Sequence, residues 1–218
     1  MNGHFINGSF TREHDIDLID KTLLFHQKIE GDVSCVVWDA SIVLAKYLEE
    51  LCGQNTGFLK NKNVLELGAG LGLVGLTAAC LGANVLLTDL PEALPLLKLN
   101  IDSNKSVLFS CKGAVKFNSL NWGEKYDNKF NPDIVLMADC IYYKESIGPL
   151  IKTLTELTTK DTTIIMSQEL RDTEKQKEVW EFFKSSVQIF FNFHVIPIEE
   201  HNSEYCSRDI LLVKLRKL

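Results

Sequence analysis

The chain reads as an α/β protein built on a doubly wound, mostly parallel sheet, and three features of its 218 residues carry that reading. First, residues 63–80 run from a buried apolar strand through a glycine turn (Gly68, Gly70, Gly72) straight into a helix. Second, short apolar runs alternate with segments of helical periodicity along most of the chain, which is the pattern of a layered α/β sheet. Third, the chain closes on two adjacent strands, 189–196 and 210–215, which leaves the last one to insert antiparallel.

Taken in order, residues 1–30 are polar and mixed and form an N-terminal extension with an expectedly mobile end. Alternation at 22–29 fits a short hairpin or edge strand. Residues 31–218 read as one domain. Ile42, Ala45, Leu48 and Leu51 are spaced as one helix face, with Asp39 or Ser41 as the cap. The second strand ends in Asp89, and a helix follows with Pro91 in its first turn. A third strand falls within 107–121, and 133–138 is a continuous apolar strand stopping at Asp139. A helix over 149–157 leads to a fifth strand over 162–167, and a last helix spans 173–185.

Bulk properties narrow the function classes. A net charge of −6 lacks the basic balance of a phosphate-backbone binder, so no nucleic-acid partner is expected. No apolar run reaches the length of a membrane span, and the N-terminus lacks the charged and apolar regions of a signal peptide. Six cysteines form no C-x-x-C pair and five histidines (His4, His14, His26, His194, His201) show no ligand spacing, so no metal is expected. Reduced thiols point to the cytoplasm, with the nucleus as a second location.

The glycine turn lies outside the carboxyl end of a strand, where open α/β sheets bind ligands. Glu66 stands two residues before the first glycine, inside a strand that burial on both faces would keep apolar. Asp89 ends the next strand, where an acid accepts both ribose hydroxyls of an adenosine. Gly70, Gly72 and Gly75 also satisfy G-x-G-x-x-G, the dinucleotide pattern. An acid beside the turn disfavours pyrophosphate and suits a cation, which favours S-adenosylmethionine over NAD. Glycines that serve helix packing alone are the plainer alternative. Across the crevice, Asp139 and Tyr142 end the fourth strand, where a methyl acceptor would stand. Methyl transfer needs alignment above all. Asp139 could accept an amine N–H, or could merely cap a helix starting near Ile141. Tyr142 could close the pocket, with Tyr143 as its substitute. Glu169 and Arg171 read either as an acceptor-side pair or as an ordinary surface pair. Trp38 and Trp122 offer flat faces for an adenine or a methionyl tail.

Six strings together resemble the seven-strand protein-lysine methyltransferases with an Asp-x-x-Tyr motif: Cys35-Val-Val-Trp38-Asp39-Ala40, Leu65-Glu-Leu-Gly-Ala-Gly-Leu-Gly72, Thr88-Asp-Leu90, Asn121-Trp-Gly123, Met137-Ala-Asp-Cys-Ile-Tyr-Tyr143 and Glu169-x-Arg171. The likeness is collinear over residues 30 to 215. It implies a Rossmann-like class I methyltransferase fold with a final antiparallel strand. It implies that Trp38, Glu66, Gly68, Ala69, Gly70, Asp89, Trp122 and Ala138 line an S-adenosyl-L-methionine site, and that Asp139 and Tyr142 face a target lysine. It further implies a protein substrate, the AAA ATPase chaperone valosin-containing protein. Gln168 departs from the pattern, which has an aromatic residue there, and residues 1–30 match poorly. The rival functions are an NAD-dependent oxidoreductase and a non-catalytic ATPase-binding module.

Overall fold

The computed structural model describes residues 8–126 and 130–218, so the expected mobile end at residues 1–7 lies outside the described residues. A hairpin of β1 (Ser9–Ile16) and β2 (Lys21–Lys28) precedes helix α1 (Asp39–Gln54). Then come β3 (Asn63–Leu67), α2 (Leu73–Cys80), β4 (Asn84–Asp89), α3 (Leu94–Ser103), α4 (Lys105–Ser110) and β5 (Ala114–Ser119). The second half holds β6 (Ile134–Ala138), α5 (Lys144–Leu157), β7 (Thr163–Glu169), α6 (Glu174–Val187), β8 (Phe191–Ile196) and β9 (Ile210–Lys217).

Seven strands form one sheet in the order β5-β4-β3-β6-β7-β9-β8. Strand β9 is antiparallel to both of its neighbours, and the pairs from β5 to β7 are all parallel. The chain builds outward from β3 through β4 to β5, then returns to add β6 and β7 on the other side. The order therefore reverses between β3 and β6, and a crevice opens there at the carboxyl ends of the strands.

Each face of the sheet has its own core. Val64, Val85 and Leu87 pack with α1 and α2, whereas Leu65, Leu67, Val135 and Met137 pack with α5 and α6. Alternate residues of β3 thus serve opposite faces, and Glu66 shares the face of Val64, toward α2.

The hairpin is docked by side-chain amides. Asn100 and Asn104, one turn apart on one face of the α3–α4 segment, act as a surrogate strand for the outer edge of β2. Asn104 Oδ1 accepts the Leu24 amide at 2.8 Å while its Nδ2 donates to the Leu24 carbonyl at 2.8 Å. Asn100 repeats the pattern on His26 at 2.7 and 3.2 Å. Ile16, Leu23 and Phe25 sit fully buried beneath. Lys46 of α1 fastens the hairpin turn, donating to the Asp15 carbonyl and the Asp17 carboxylate, each at 2.6 Å.

Three boundaries differ from the sequence reading. Neither Asp39 nor Ser41 caps α1: Trp38 is the capping residue, without a side-chain bond, and Ser41 Oγ donates to the Trp38 carbonyl at 2.6 Å. Pro91 precedes α3 by a turn, and Pro95 occupies the first helical turn in its place. Helix α5 begins at Lys144 with Pro149 inside it, so Asp139 caps no helix.

Candidate active site

All ten residues expected from the sequence to form the site line one cavity of about 610 Å³ at the strand-order reversal. Glu66, Gly68, Ala69, Gly70 and Asp89 line its β3–β4 end, Ala138, Asp139 and Tyr142 line the β6 end, and Trp38 and Trp122 wall it from the segments before α1 and after β5. Gly68, Gly70 and Gly72 have φ of +65°, +52° and +83°. A Cβ on Gly68 would lie 2.9 Å from Cys140 Sγ and 3.3 Å from the Trp122 ring, so no other residue lets the turn pass so close to the wall.

Carboxylates occupy the amides that this turn presents. Asp89 Oδ2 accepts the Gly70 N–H at 2.6 Å and its Oδ1 accepts the Leu90 N–H at 2.7 Å. Glu66 Oε2 accepts the Gly75 N–H at 2.9 Å. Gly75 is the third residue of α2, whose own cap, Gly72, has no side chain. Glu66 therefore caps α2 from the neighbouring strand. Burial drives its carboxyl up to about 8, against the pull of the Gly75 bond. Burial also raises Asp89, while its two amide bonds oppose the shift. A pyrophosphate would find the Gly70 and Gly75 amides already bonded to acids, whereas a cation would find acceptors. Asp89 keeps lone pairs for ribose hydroxyls. The residues present thus fit S-adenosylmethionine and fit NAD poorly.

A strap over residues 31–38 covers this end. Trp38 Nε1 donates to the Val33 carbonyl at 2.8 Å, closing the strap on itself, and buried Gln27 of β2 accepts the Val37 N–H at 2.7 Å. Ser167 Oγ donates to the Ala40 carbonyl at 2.7 Å and seats the start of α1 on β7. The strap and Gln27 escaped the sequence reading, because a single glutamine in an alternating strand gives no sign of what it will reach.

At the acceptor end Asp139 adopts φ +54°, which Asp tolerates better than most residues, and its side chain turns toward the end of β7. There its carboxylate is already engaged. Gln168 Nε2 donates to Oδ1 at 2.8 Å, the Glu169 amide to Oδ1 at 3.3 Å, and Arg171 donates to Oδ2 at 2.5 Å and to Oδ1 at 3.3 Å. Arg171 also pairs with Glu169 at 3.2 Å, so the expected Glu169–Arg171 pair exists and is joined to Asp139. The Arg171 guanidinium lies 5.5 Å from the centre of the Trp38 ring. Gln168 is buried and also accepts the Ile141 amide at 3.0 Å, bracing the loop after β6. Gln168 follows Ser167, which pairs with Ala138 in the strand register, so the sheet brings it beside Asp139. Tyr142 lies edge-on to Tyr143 at 4.7 Å, and burial pushes its hydroxyl up to about 12.

The sheet order, the inserted antiparallel strand and a ligand cavity at the glycine turn define a Rossmann-like class I methyltransferase fold. A TehB-like methyltransferase from Corynebacterium glutamicum shares it, with a TM-score of 0.56 and 11% identity over 80% of this chain and 87% of that one. A family model described as lysine methyltransferase matches residues 18–188, and the chain belongs to that family. It is 41% identical over 141 residues to Protein N-lysine methyltransferase METTL21A of Danio rerio, covering 64% of this chain and 62% of the relative. It is 36% identical over 162 residues to EEF1A lysine methyltransferase 3 of Xenopus tropicalis, covering 73% and 66%. The chain thus spans a little under two thirds of these relatives.

Proposed function

We propose that this protein is an S-adenosylmethionine-dependent protein-lysine N-methyltransferase whose substrate is valosin-containing protein. The observation that carries the reaction is the joining of two ends in one cavity, with the Asp89-braced glycine turn at one and the Asp139 carboxylate at the other. When bound, S-adenosylmethionine supplies an activated methyl group. Asp89 takes the ribose, Trp38 and Trp122 cover the ligand, and the strap over 31–38 excludes water. Asp139 accepts an N–H from the incoming lysine and fixes its lone pair on the methyl carbon, while Tyr142 walls the acceptor channel. Holding the two reactants in line is most of what this reaction asks of its catalyst.

The substrate rests on the Val-Trp-Asp-Ala and Ala-Asp-Cys-Ile-Tyr-Tyr strings, and a relative named for elongation factor 1A supplies the natural rival. We also place the protein in the cytoplasm or nucleus, where its six unpaired thiols stay reduced. The deciding experiment incubates tritiated S-adenosylmethionine with valosin-containing protein or elongation factor 1A, then maps the labelled peptides. Label on one lysine of valosin-containing protein is expected, lost in Asp139→Ala with S-adenosylmethionine affinity retained. Label on elongation factor 1A alone would retire the substrate, and full labelling by Asp139→Ala would retire the role of that carboxylate.

A further inference from the structure

We infer that Arg171 is a charge-compensating positioning residue, whose ion pair lets Asp139 orient a neutral acceptor amine instead of trapping it as an ammonium. This rests on the lysine methyltransferase reading above.

The acceptor site faces a conflict of charges. A lysine reacts only after it has lost its proton, yet its ordinary pKa is about 10.4. An opposite charge within a few ångströms favours the charged form. A bare carboxylate at the acceptor position would therefore raise the amine further and hold it unreactive. An acceptor oxygen is still needed, because without it the lone pair has no fixed direction.

The geometry around Asp139 resolves the conflict. Arg171 spans both carboxylate oxygens, at 2.5 and 3.3 Å, and offsets the negative charge where it arises, though it shares its own charge with Glu169 at 3.2 Å. Oδ1 holds three donors, whereas Oδ2 holds Arg171 alone and keeps a lone pair for an amine N–H. The guanidinium is itself held from two further sides, by Glu169 and by the face of Trp38. Burial works against its charge, and the bond to Asp139 together with the negative charges of Asp139 and Glu169 more than offsets that. Among the described residues lining the cavity it carries the one positive charge. The other titratable groups facing this region are Glu169 from β7, Cys140, Tyr142 and Tyr143 from the loop after β6, and Glu66, Asp89, Glu92 and Asp32 at the far end. None of these can supply a positive charge. In the transfer, the neutral amine nitrogen bonds the methyl carbon as the carbon–sulfur bond breaks. The electron pair stays on sulfur, and the positive charge passes to nitrogen. The proton lost beforehand goes to solvent.

The test compares pH profiles of kcat/KM for the parent, Arg171→Gln and Arg171→Lys, with tritiated S-adenosylmethionine and valosin-containing protein. A heat-treated cell extract replaces that substrate if it takes no label. In Arg171→Gln the midpoint of the acid limb should rise by about one pH unit, with the rate recovering at high pH. Arg171→Lys should restore most of the parent midpoint. Calorimetric affinity for S-adenosylmethionine should stay within twofold in both variants, which also shows that they fold. An unchanged midpoint with a uniformly lower rate would overturn the inference, and so would a tenfold loss of S-adenosylmethionine affinity. If the parent labels neither substrate, the lysine methyltransferase reading falls and takes this inference with it.

Discussion

At the residue scale, Glu66 shows how one side chain can be found in sequence while its proton affinity is set by the fold. A lone acid in an apolar strand marks a special position whatever its neighbours. Its protonation depends on how completely α2 covers it, which no local pattern reports. The consequence is measurable. Its folded pKa, about 8, stands above the ordinary value of 4.5, so the folded state binds this proton more tightly than the unfolded chain does. Stability from this group is fully present below pH 4.5 and is lost as pH rises through 8, at roughly 1.4 kcal/mol per unit. Glu66→Gln keeps an acceptor for the Gly75 amide and removes that loss. Its urea stability relative to the parent should improve by about 2 kcal/mol between pH 6 and pH 8. A gap that does not change with pH would show that the carboxyl is ionised in the fold.

At the element scale, two attachments hold the site's frame. Helix α2 lies so close to β4 that a Cβ on Gly75 would sit 2.1 Å from Leu87 Cδ2 and 2.5 Å from Glu66 Oε2. Alanine is the better helix former by about 1 kcal/mol, but overpacking costs about 1 to 3 kcal/mol. Gly75→Ala should therefore be net destabilising in urea and should weaken S-adenosylmethionine binding by displacing Glu66. A stabilised variant would mean that Leu87 and Glu66 move aside freely. The second attachment is the amide ladder under β2. Asn104→Ala strips partners from both the amide and the carbonyl of Leu24 and should cost about 2 kcal/mol. Since Gln27 on the same strand steadies the strap, S-adenosylmethionine affinity should fall as well. A loss confined to stability would uncouple the hairpin from the site.

At the scale of the whole molecule, the strap, the strand tips and the helix starts line one cavity, and the hairpin is tied to it through Gln27, so a ligand that fills it should stabilise the entire fold. S-adenosylmethionine at a hundred times its Kd should add about 2.7 kcal/mol to unfolding, seen as a rise in Tm. NAD at the same concentration should leave Tm unchanged, because the amides that would cradle its pyrophosphate are bonded to Asp89 and Glu66. An equal rise with NAD would reopen the oxidoreductase alternative.

Sequence was sufficient for the α/β layering, the glycine turn and the positions of Asp89, Asp139 and Tyr142. Those features follow from short-range rules: strand and helix periodicity, glycine sterics, and the placement of ligands at strand tips. It was insufficient for the state of those residues. Arg171 reaches Asp139 across 32 positions, Asn104 reaches Leu24 across 80, and Ser167 reaches Ala40 across 127. Ion pairing, proton affinity and hairpin docking depend on which groups packing brings within a few ångströms and shields from water. Only the folded chain sets those distances.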